Sequence, residues 1–272
     1  MKKLIGLLLS AMLIVSLAAC GNNGTTPTAN SGEDTSWDDI VAQGKIVMGV
    51  DDEFPPMGYR ESNDEIVGFD IDFAKAVASE LGVELEVMAI DWSSKEAQLM
   101  AGNVDVIWNG YSITDDRKEK VAFTRPYLAN RMVIVSKEGY GVNTKEDLKN
   151  VKIGVQAMSS AIDAMAEDDI YEEIKGNLME FSVNTDAMLD LDAGNVKAVV
   201  LDEVVADYYI SKHPGNYVVL EDNFGAEEYG IGVRKEDKAF LEKLQAAIDT
   251  TIENGKAASV SETWFGTDKV LK

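Results

Sequence analysis

From residue 45 onward, short apolar runs alternate with amphipathic stretches, and this alternation is typical of an α/β protein. The pattern predicts a strand at 45–50, a helix at 68–82, a strand at 83–90, a helix at 93–102 and a strand at 104–108. Asp70 is the expected N-cap of the first helix and Gly82 its stop, while Ser93 and Glu96 have capping-box spacing at the second. This order of elements builds parallel sheets through right-handed crossovers.

The same order of elements occurs a second time further along the chain. It comprises a strand at 151–155, a helix at 159–167, a strand at 178–182, a helix at 184–194 and a strand at 196–201. The letters AGNV appear at 101–104 and again at 193–196, each time between the second helix and the third strand. Glycine stops a helix, asparagine suits a turn and valine begins a buried strand, so equal turn requirements explain the repeat without a duplication.

The last part of the chain lacks a lobe of its own. Residues 229–234 predict a strand and residues 235–254 a long helix, and we expect both to return to the first lobe. The chain then crosses between the lobes twice. The predicted fold class is α/β, with two lobes, two sheets rich in parallel strands and a cleft that closes by a hinge around small ligands.

The N-terminus carries a targeting signal. Lys2 and Lys3 precede an apolar stretch at 4–17, which favours a secretory signal peptide over residues 1–19, with a short membrane anchor as the alternative. The ending Leu-Ala-Ala-Cys at 17–20 resembles the lipobox of bacterial lipoproteins, which implies lipidation of Cys20 and attachment to the extracytoplasmic face of the cell membrane. Residues 20–36 lack apolar periodicity and predict a flexible tether.

The charge excludes several classes of partner. Acidic residues outnumber basic ones by 48 to 25, for a net charge of −23, or −25 once Lys2 and Lys3 leave with the signal peptide. Nucleic acid is therefore not a partner, because its phosphates need a basic patch, and an anionic membrane surface is disfavoured for the same reason. Cys20 is the only cysteine, which excludes an internal disulfide and a cysteine-based metal site. We expect no metal and no other cofactor.

Four segments carry a resemblance to a known family: GVDDEFPPMGYR (49–60), GFDIDFAKAVASELG (68–82), SITDDRKEKVAFTRPY (112–127) and TWFG (263–266). They resemble the polar amino-acid substrate-binding proteins of ABC transporters, family 3 of the bacterial extracellular solute-binding proteins. The resemblance spans nearly the whole mature chain. It implies crossings near 127–131 and 226–230, a first lobe of 37–127 plus 229–272 and a second lobe of 128–228. It also implies a monomer that binds a free amino acid and delivers it to an ABC transporter permease.

The resemblance assigns the ligand carboxylate to the first lobe. Arginine in this motif is the family's carboxylate ligand, which points to Arg117, whose guanidinium can form two parallel hydrogen bonds to a carboxylate. Spacing alone favours a surface arginine paired with Asp115 or Glu119. The resemblance places Ser112 and the backbone of Gly110 where the family supplies further hydrogen bonds. Asn109 lies beside them and adds a possible side-chain contact.

The ligand ammonium is assigned to Asp202, which follows the strand at 196–201. The alternative for Asp202 is a helix N-cap, and the resemblance favours the ligand role. Asp51 matches a family acid near the ligand side chain or amino group. Phe54 and Trp92 match the aromatic pair that encloses the ligand, with ordinary core packing as the alternative for both.

In the second lobe, residues 154–161 match the loop that closes over the ligand, with Gln156, Ser159 and Ser160 as candidate contacts. The alternative for the serines is helix capping. Relatives commonly have glycine where this chain has Met158. Because Arg117 is the only evident cation, an acidic amino acid brings a second carboxylate without a partner. We therefore expect a neutral polar or cationic amino acid.

Two other functions fit the same fold. One is an enzyme that resembles cyclohexadienyl dehydratases and acts on a small cyclic acid. The other is a sensing module, which would be expected to continue into a membrane span and a signalling domain. Hydrolytic chemistry is disfavoured because His213 is the only histidine and has no evident nucleophile beside it. We expect a binding protein rather than an enzyme.

Overall fold

The structure is a computed structural model that describes residues 34–272. The predicted signal peptide, Cys20 and most of the tether lie outside the described residues. The strands are Lys45–Val50 (β1), Glu53–Phe54 (β2), Gly58–Arg60 (β3), Ile66–Val67 (β4), Glu84–Ala89 (β5), Val106–Ile107 (β6), Ala122–Phe123 (β7), Leu128–Ser136 (β8), Ile153–Gln156 (β9), Leu178–Phe181 (β10), Ala198–Asp202 (β11), Val218–Tyr229 (β12) and Gly232–Val233 (β13). The α-helices are Ser36–Gln43 (α1), Phe69–Leu81 (α2), Lys95–Met100 (α3), Asp115–Lys120 (α4), Ser160–Ala166 (α5), Tyr171–Ile174 (α6), Asn184–Ala193 (α7), Glu203–Lys212 (α8), Lys238–Glu253 (α9) and Lys256–Phe265 (α10).

Two five-stranded sheets share one layout. The first has the order β5-β1-β6-β13-β7 and the second the order β10-β9-β11-β8-β12. In each sheet the first three strands of this order are parallel, and the earliest of the three in the sequence lies in the middle. The remaining two strands of each sheet join in antiparallel pairing. The predicted two-lobed α/β fold with parallel-rich sheets is confirmed.

The tail of the chain returns to the first sheet, as predicted, because β13 pairs with β6 and β7. The two segments that run between the sheets are hydrogen-bonded to each other. Strand β8 pairs with β12 in a register that joins Leu128 to Tyr229, Asn130 to Glu227 and Arg131 to Ala226. The crossings implied by the family resemblance therefore form one antiparallel ribbon.

The two AGNV turns have the same hydrogen bonds. Gly102 and Gly194 adopt φ values of +75° and +77°, and each donates its N–H to the carbonyl three residues earlier. Asn103 and Asn195 each donate their backbone N–H to the carbonyl five residues earlier, at 3.0 Å in both cases. This pattern is a Schellman motif, which requires the left-handed conformation that glycine adopts without strain. The repeated phrase is therefore a helix stop used twice.

Two predicted helix N-caps were wrong. Helix α2 has Gly68 as its N-cap, because the Asp70 side chain turns inward and is fully buried. The predicted capping box at Ser93 does not form, since the side chain of Asp91 accepts the Ser93 N–H at 2.9 Å and Glu96 accepts the hydroxyl of Tyr111 instead.

The expected long helix at 235–254 forms as α9, and a further helix that was not predicted, α10, follows it. Gly255, in a left-handed conformation, is the N-cap of the second. The small sheet of β2, β3 and β4 was not predicted, and the helix α8 was expected only as the helix that follows Asp202. Within residues 34–272, every helix is too short or too polar to cross a bilayer.

Candidate functional site

A small enclosed cavity lies between the carboxyl ends of β1 and β6 of the first sheet and of β9 and β11 of the second. It is lined by Asp51, Phe54, Trp92, Asn109, Gly110, Arg117, Gln156, Ser159, Ser160 and Asp202. These are ten of the eleven expected ligand-binding residues. The eleventh, Ser112, accepts a hydrogen bond of 3.0 Å from the hydroxyl of Ser160. The structure thus brings the whole predicted set together, as expected for residues that follow parallel strands.

A larger and more open groove lies on the surface, lined by Tyr59, Tyr208 and Tyr209 among others. Its cationic residues, Arg60 and Lys212, are exposed to solvent. Water stabilises exposed charges, so these side chains need no ligand. The small cavity is different because its charged residues are buried, and this difference makes it the candidate site.

Arg117 lies on α4 and is 4% exposed. Its guanidinium packs over the ring of Tyr111, 4.6 Å from the ring centroid, and Nη1 donates to the carbonyl of Ser112 at 2.9 Å. The alternative of a surface arginine paired with Asp115 or Glu119 is wrong. Within residues 34–272 no carboxylate forms an ion pair with Arg117, so its guanidinium is oriented but its charge is not neutralised.

Asp202, at the end of β11, is 6% exposed. It occupies the N-cap position of α8, yet its side chain makes no capping hydrogen bond. Its Oδ1 instead accepts from Nδ2 of Asn130 at 2.7 Å and from the hydroxyl of Tyr229 at 2.5 Å. Burial, followed by the nearby charge of Glu227, raises the pKa of Asp202 well above its ordinary value. The side chain of Asp202 therefore does not cap α8, which excludes the helix-cap interpretation.

Asp51 and Gln156 join the two lobes directly. Nε2 of Gln156 donates to Oδ2 of Asp51 at 2.6 Å, and Oδ1 of Asp51 accepts the N–H of Glu53 at 2.9 Å. Burial raises the pKa of Asp51 to about 6. Oδ1 of Asn109 accepts the N–H of Asp51, while its Nδ2 is buried and has no hydrogen-bond partner among residues 34–272. That amide is a free donor beside the cavity.

Gly110 is fixed by a buried carboxylate. Its N–H donates to Oδ2 of Asp70 at 2.8 Å, and the hydroxyl of Tyr127 donates to the same oxygen at 3.0 Å. Burial raises the pKa of Asp70 to about 7. The expected backbone contact from Gly110 is thus limited to its carbonyl. The glycine is also required by space, since a Cβ would lie 2.7 Å from Cε1 of Phe54 and the φ is +55°.

The second-lobe loop presents its serines without using them as caps. Ser159 is the N-cap of α5 but donates its hydroxyl to the Gln156 carbonyl at 2.7 Å. The hydroxyl of Ser160 lies 3.0 Å from Ser112 Oγ and 3.3 Å from Oε2 of Glu227. Immediately before the two serines, Met158 adopts a φ of +55°, the conformation that glycine takes easily. Methionine therefore keeps a backbone path suited to glycine.

Phe54 and Trp92 fit both interpretations, as walls of the cavity and as ordinary core residues. Each lines the cavity and each also belongs to a hydrophobic core cluster. Trp92 packs edge-on against Tyr111 with 5.8 Å between the ring centroids. The two rings are therefore rigid walls whose orientation is set by packing.

The family model of the bacterial extracellular solute-binding proteins, family 3, matches residues 46–267. That span includes every residue of the cavity. The chain belongs to this family.

Named relatives and solved structures agree with this assignment. The arginine-binding extracellular protein ArtP of Bacillus subtilis is 28% identical over 270 residues, covering 99% of this chain and 100% of that protein. The glutamine-binding protein GlnH of the same organism is 28% identical over 277 residues, covering 98% and 99%. The substrate-binding protein of an ABC uptake transporter from Streptococcus pneumoniae, solved with bound histidine, has a TM-score of 0.84, 34% identity and coverage of 88% and 99%.

The family-3 assignment decides between the functions left open by the sequence. The relatives are substrate-binding proteins of transporters, so this protein binds a solute for an ABC importer, and the expectation that it is not an enzyme is confirmed. A member of an extracellular solute-binding family acts outside the cytoplasm. Residues 34–272 contain no group of three or more His, Cys, Asp or Glu residues arranged to hold a metal ion.

Sequence reasoning missed five residues around the site: Asp70, Lys95, Asn130, Glu227 and Tyr229. Asp70 has the signature of a helix cap, which concealed its role at Gly110. Asn130, Glu227 and Tyr229 lie in the crossing strands, where the sequence offered only a connection. Lys95 is a second buried cation, so Arg117 is not alone, although Lys95 does not line the cavity. A polar amide just before an apolar run was the available signal for Asn130.

Proposed function

We propose that this family-3 protein binds a neutral polar or cationic amino acid in the small cavity and delivers it to an ABC transporter permease. The observation that carries the proposal is the buried guanidinium of Arg117, which no carboxylate of residues 34–272 neutralises. A buried cation of this kind is stabilised by an anion that arrives from outside. The α-carboxylate of an amino acid matches the fork of a guanidinium.

The remaining roles follow from the opposite charge across the cavity. Asp202 receives the α-ammonium, with acceptor oxygens from Ser112 and from the Gly110 carbonyl. Asp51, Asn109 and the rings of Phe54 and Trp92 surround the side chain of the amino acid, as do Gln156, Ser159 and Ser160.

The side chain of the bound amino acid is neutral or cationic. Asp51 lines the cavity and repels a second carboxylate, and Gln156 brings no charge to oppose that repulsion. Lys95 donates to the carbonyls of Trp92 and Met158 and does not itself line the cavity, so it offers no pairing there. Relatives named for arginine, histidine and glutamine bind side chains of these two classes.

Capture proceeds by closure of the lobes. We place the first lobe at 37–127 plus 229–272 and the second at 128–228, with the hinge at 127–131 and 226–230. The antiparallel pairing of β8 with β12 supports this hinge, because two hydrogen-bonded strands bend together. Contacts such as Gln156 to Asp51 hold the two lobes together across the cavity.

The protein works as a monomer on the outer face of the cell membrane, held by lipid on Cys20 and a tether over residues 20–36. The lipobox-like sequence at 17–20 supports this anchor. Expression of Cys20→Ser should move the protein from the membrane fraction to the soluble extracytoplasmic fraction. Retention of the variant in washed membranes would contradict the anchor.

The amino-acid specificity is tested by thermal shift against the twenty amino acids and a set of small cyclic acids. Arginine, histidine, lysine or glutamine should raise the unfolding temperature, since an amino acid at 100 times its Kd adds about 2.7 kcal/mol to the free energy of unfolding. Aspartate and glutamate should give no shift. The matched control is the α-amide of each active amino acid, which lacks the carboxylate for Arg117. A cyclic acid that is turned over, with no shift from any amino acid, would overturn the proposal.

A further inference from the structure

A second carboxylate lies beside the proposed ammonium site. Glu227 belongs to β12, in the second crossing strand, and its Oε2 accepts the hydroxyl of Ser112 at 2.7 Å. The hydroxyl of Ser160 lies 3.3 Å from the same oxygen. Ser112 comes from the first lobe and Ser160 from the second, so one carboxylate in the hinge contacts both lobes.

Glu227 and Asp202 share a single amide. Nδ2 of Asn130 donates to Asp202 at 2.7 Å and approaches Glu227 at 3.4 Å. Oδ1 of the same asparagine is buried and has no hydrogen-bond partner among residues 34–272. Two carboxylates and an amide oxygen therefore cluster at the hinge with few donors to satisfy them. An ammonium group carries three N–H donors and one positive charge, which complements this cluster.

The hydrogen bonds to Glu227 also fix the polarity of the serines. A hydroxyl has one proton, and the proton of Ser112 Oγ is used on Glu227. Ser112 Oγ is then an acceptor toward the cavity, which suits an ammonium and not a carboxylate.

We propose that Glu227 is a specificity-determining positioning residue, which orients Ser112 and Ser160 as acceptors and adds a second negative charge beside Asp202, so that binding requires an ammonium group. This inference rests on the proposed function and deepens it. Glu227 does not line the cavity, so it acts through its neighbours.

The charged and titratable groups around this cluster are few. Arg117 on α4 favours the ionised form of Asp202, the hydroxyl of Tyr229 on β12 donates to it, and Glu227 opposes its ionisation. The pKa of Asp202 is raised, so an incoming ammonium must first meet an ionised carboxylate, and affinity falls as the pH drops through that raised pKa. Removing the charge of Glu227 lowers the pKa of Asp202 and moves this fall in affinity to lower pH.

The experiment measures the Kd of L-arginine by calorimetry between pH 5.5 and 8.5 for three full-length proteins: the wild type, Glu227→Gln and Glu228→Gln. The guanidinium of arginine keeps its charge throughout this range, and any loss of the α-ammonium proton at the upper end is the same for all three proteins and cancels from the ratio of their Kd values. At pH 8 we expect Glu227→Gln to bind arginine about tenfold more weakly than the wild type. Below pH 6 the ratio of the variant's Kd to the wild-type Kd should fall severalfold, because Asp202 of the wild type is protonated at a higher pH than Asp202 of the variant. Glu228 is the next residue of the same strand and is exposed, so Glu228→Gln should follow the wild type at every pH.

If the ratio of the Glu227→Gln Kd to the wild-type Kd stays constant with pH, Glu227 has a merely structural role and the inference is overturned. A Glu227→Gln variant that binds as tightly as the wild type at pH 8 would also overturn it. Glu227→Ala, which removes the same charge, should repeat the pH signature and guards against an effect peculiar to glutamine. If the wild type binds none of L-arginine, L-histidine, L-lysine and L-glutamine, the proposed function fails first, and this inference fails with it.

Discussion

The two lobes share the same helix-to-strand turn, but the residues that follow it carry opposite charges. In both, an AGNV turn leads from a helix into the third parallel strand of the sheet. In the first lobe the chain continues from β6 through Asn109 and Gly110 to the cation Arg117. In the second lobe the strand β11 itself ends at the carboxylate Asp202. A repeated turn therefore fixes where each half of the site lies, and the residues after the strand decide what each half binds.

The two charges also differ in what holds them. Arg117 is oriented from within its own lobe, by the ring of Tyr111 and the carbonyl of Ser112. Asp202 is held by Asn130 and Tyr229, which lie in the crossing strands. The carboxylate of Asp202 is therefore bonded directly to side chains of the crossing strands, while the guanidinium of Arg117 meets those strands only through the residues that hold it, Tyr111 and Ser112. Mutations on the two sides should accordingly have different signatures.

The largest effect is expected at Arg117. Arg117→Ala should weaken amino-acid binding about a thousandfold, about 4 kcal/mol, because the ligand carboxylate loses two charge-assisted hydrogen bonds in a buried site. The unfolding temperature without an amino acid should stay the same or rise, since an unneutralised buried charge is removed. Calorimetric titration with L-arginine checks the first part and thermal unfolding the second.

The matched control is Arg125→Ala. Arg125 pairs with Asp249 and is partly exposed, so its loss should change the Kd less than twofold. Tight residual binding by Arg117→Ala would remove Arg117 from the carboxylate role.

The next effect is expected at Asp202, where binding and stability should change in opposite directions. Asp202→Asn should weaken binding about a hundredfold, because the ammonium loses its ionic partner. The free energy of unfolding at pH 8 should rise by on the order of 1 kcal/mol. A carboxylate whose folded pKa is raised stabilises the protein only at low pH, and its contribution is lost as the pH rises through that pKa. Asp202→Asn removes the charge, so the protein regains this stability at pH 8.

Urea unfolding at pH 8 and pH 5 measures the change in stability at Asp202. The gain from Asp202→Asn should be complete at pH 8 and clearly smaller at pH 5, because it disappears only as the pH falls to the unfolded-state pKa of an aspartate, about 4. Asp207→Asn is the control on the same side of the molecule, since Asp207 lies on α8 outside the cavity and its side chain is more than half exposed. A loss of stability at pH 8 in Asp202→Asn would contradict the assigned electrostatic cost of Asp202.

The sequence was sufficient for the frame of the fold and for the lining of the cavity. Periodicity and turn residues act locally, so they located the parallel strands and both AGNV stops. The groups behind the lining depend on contacts that no local pattern encodes. Gly110 and Asp70 are 40 residues apart, and Ser112 and Glu227 are 115 apart. The family resemblance therefore named the residues that line the cavity, but neither it nor the local pattern named the partners that set their charge and polarity.

The smallest effects are expected at the glycines, and they separate what the lobes share from what they do not. Gly102→Ala and Gly194→Ala should each cost about 1 kcal/mol of stability, because both place a side chain at a left-handed φ in the same Schellman motif. Gly110→Ala adds a contact of 2.7 Å with the ring of Phe54 to the same backbone cost, whereas nothing lies within 4 Å of a Cβ at Gly102. Its loss in urea unfolding should exceed that of Gly102→Ala by about 1–2 kcal/mol. It should also weaken amino-acid binding, which the other two should not. Equal losses for all three variants would mean that Phe54 moves freely, and the first-lobe wall of the cavity would then not be rigid.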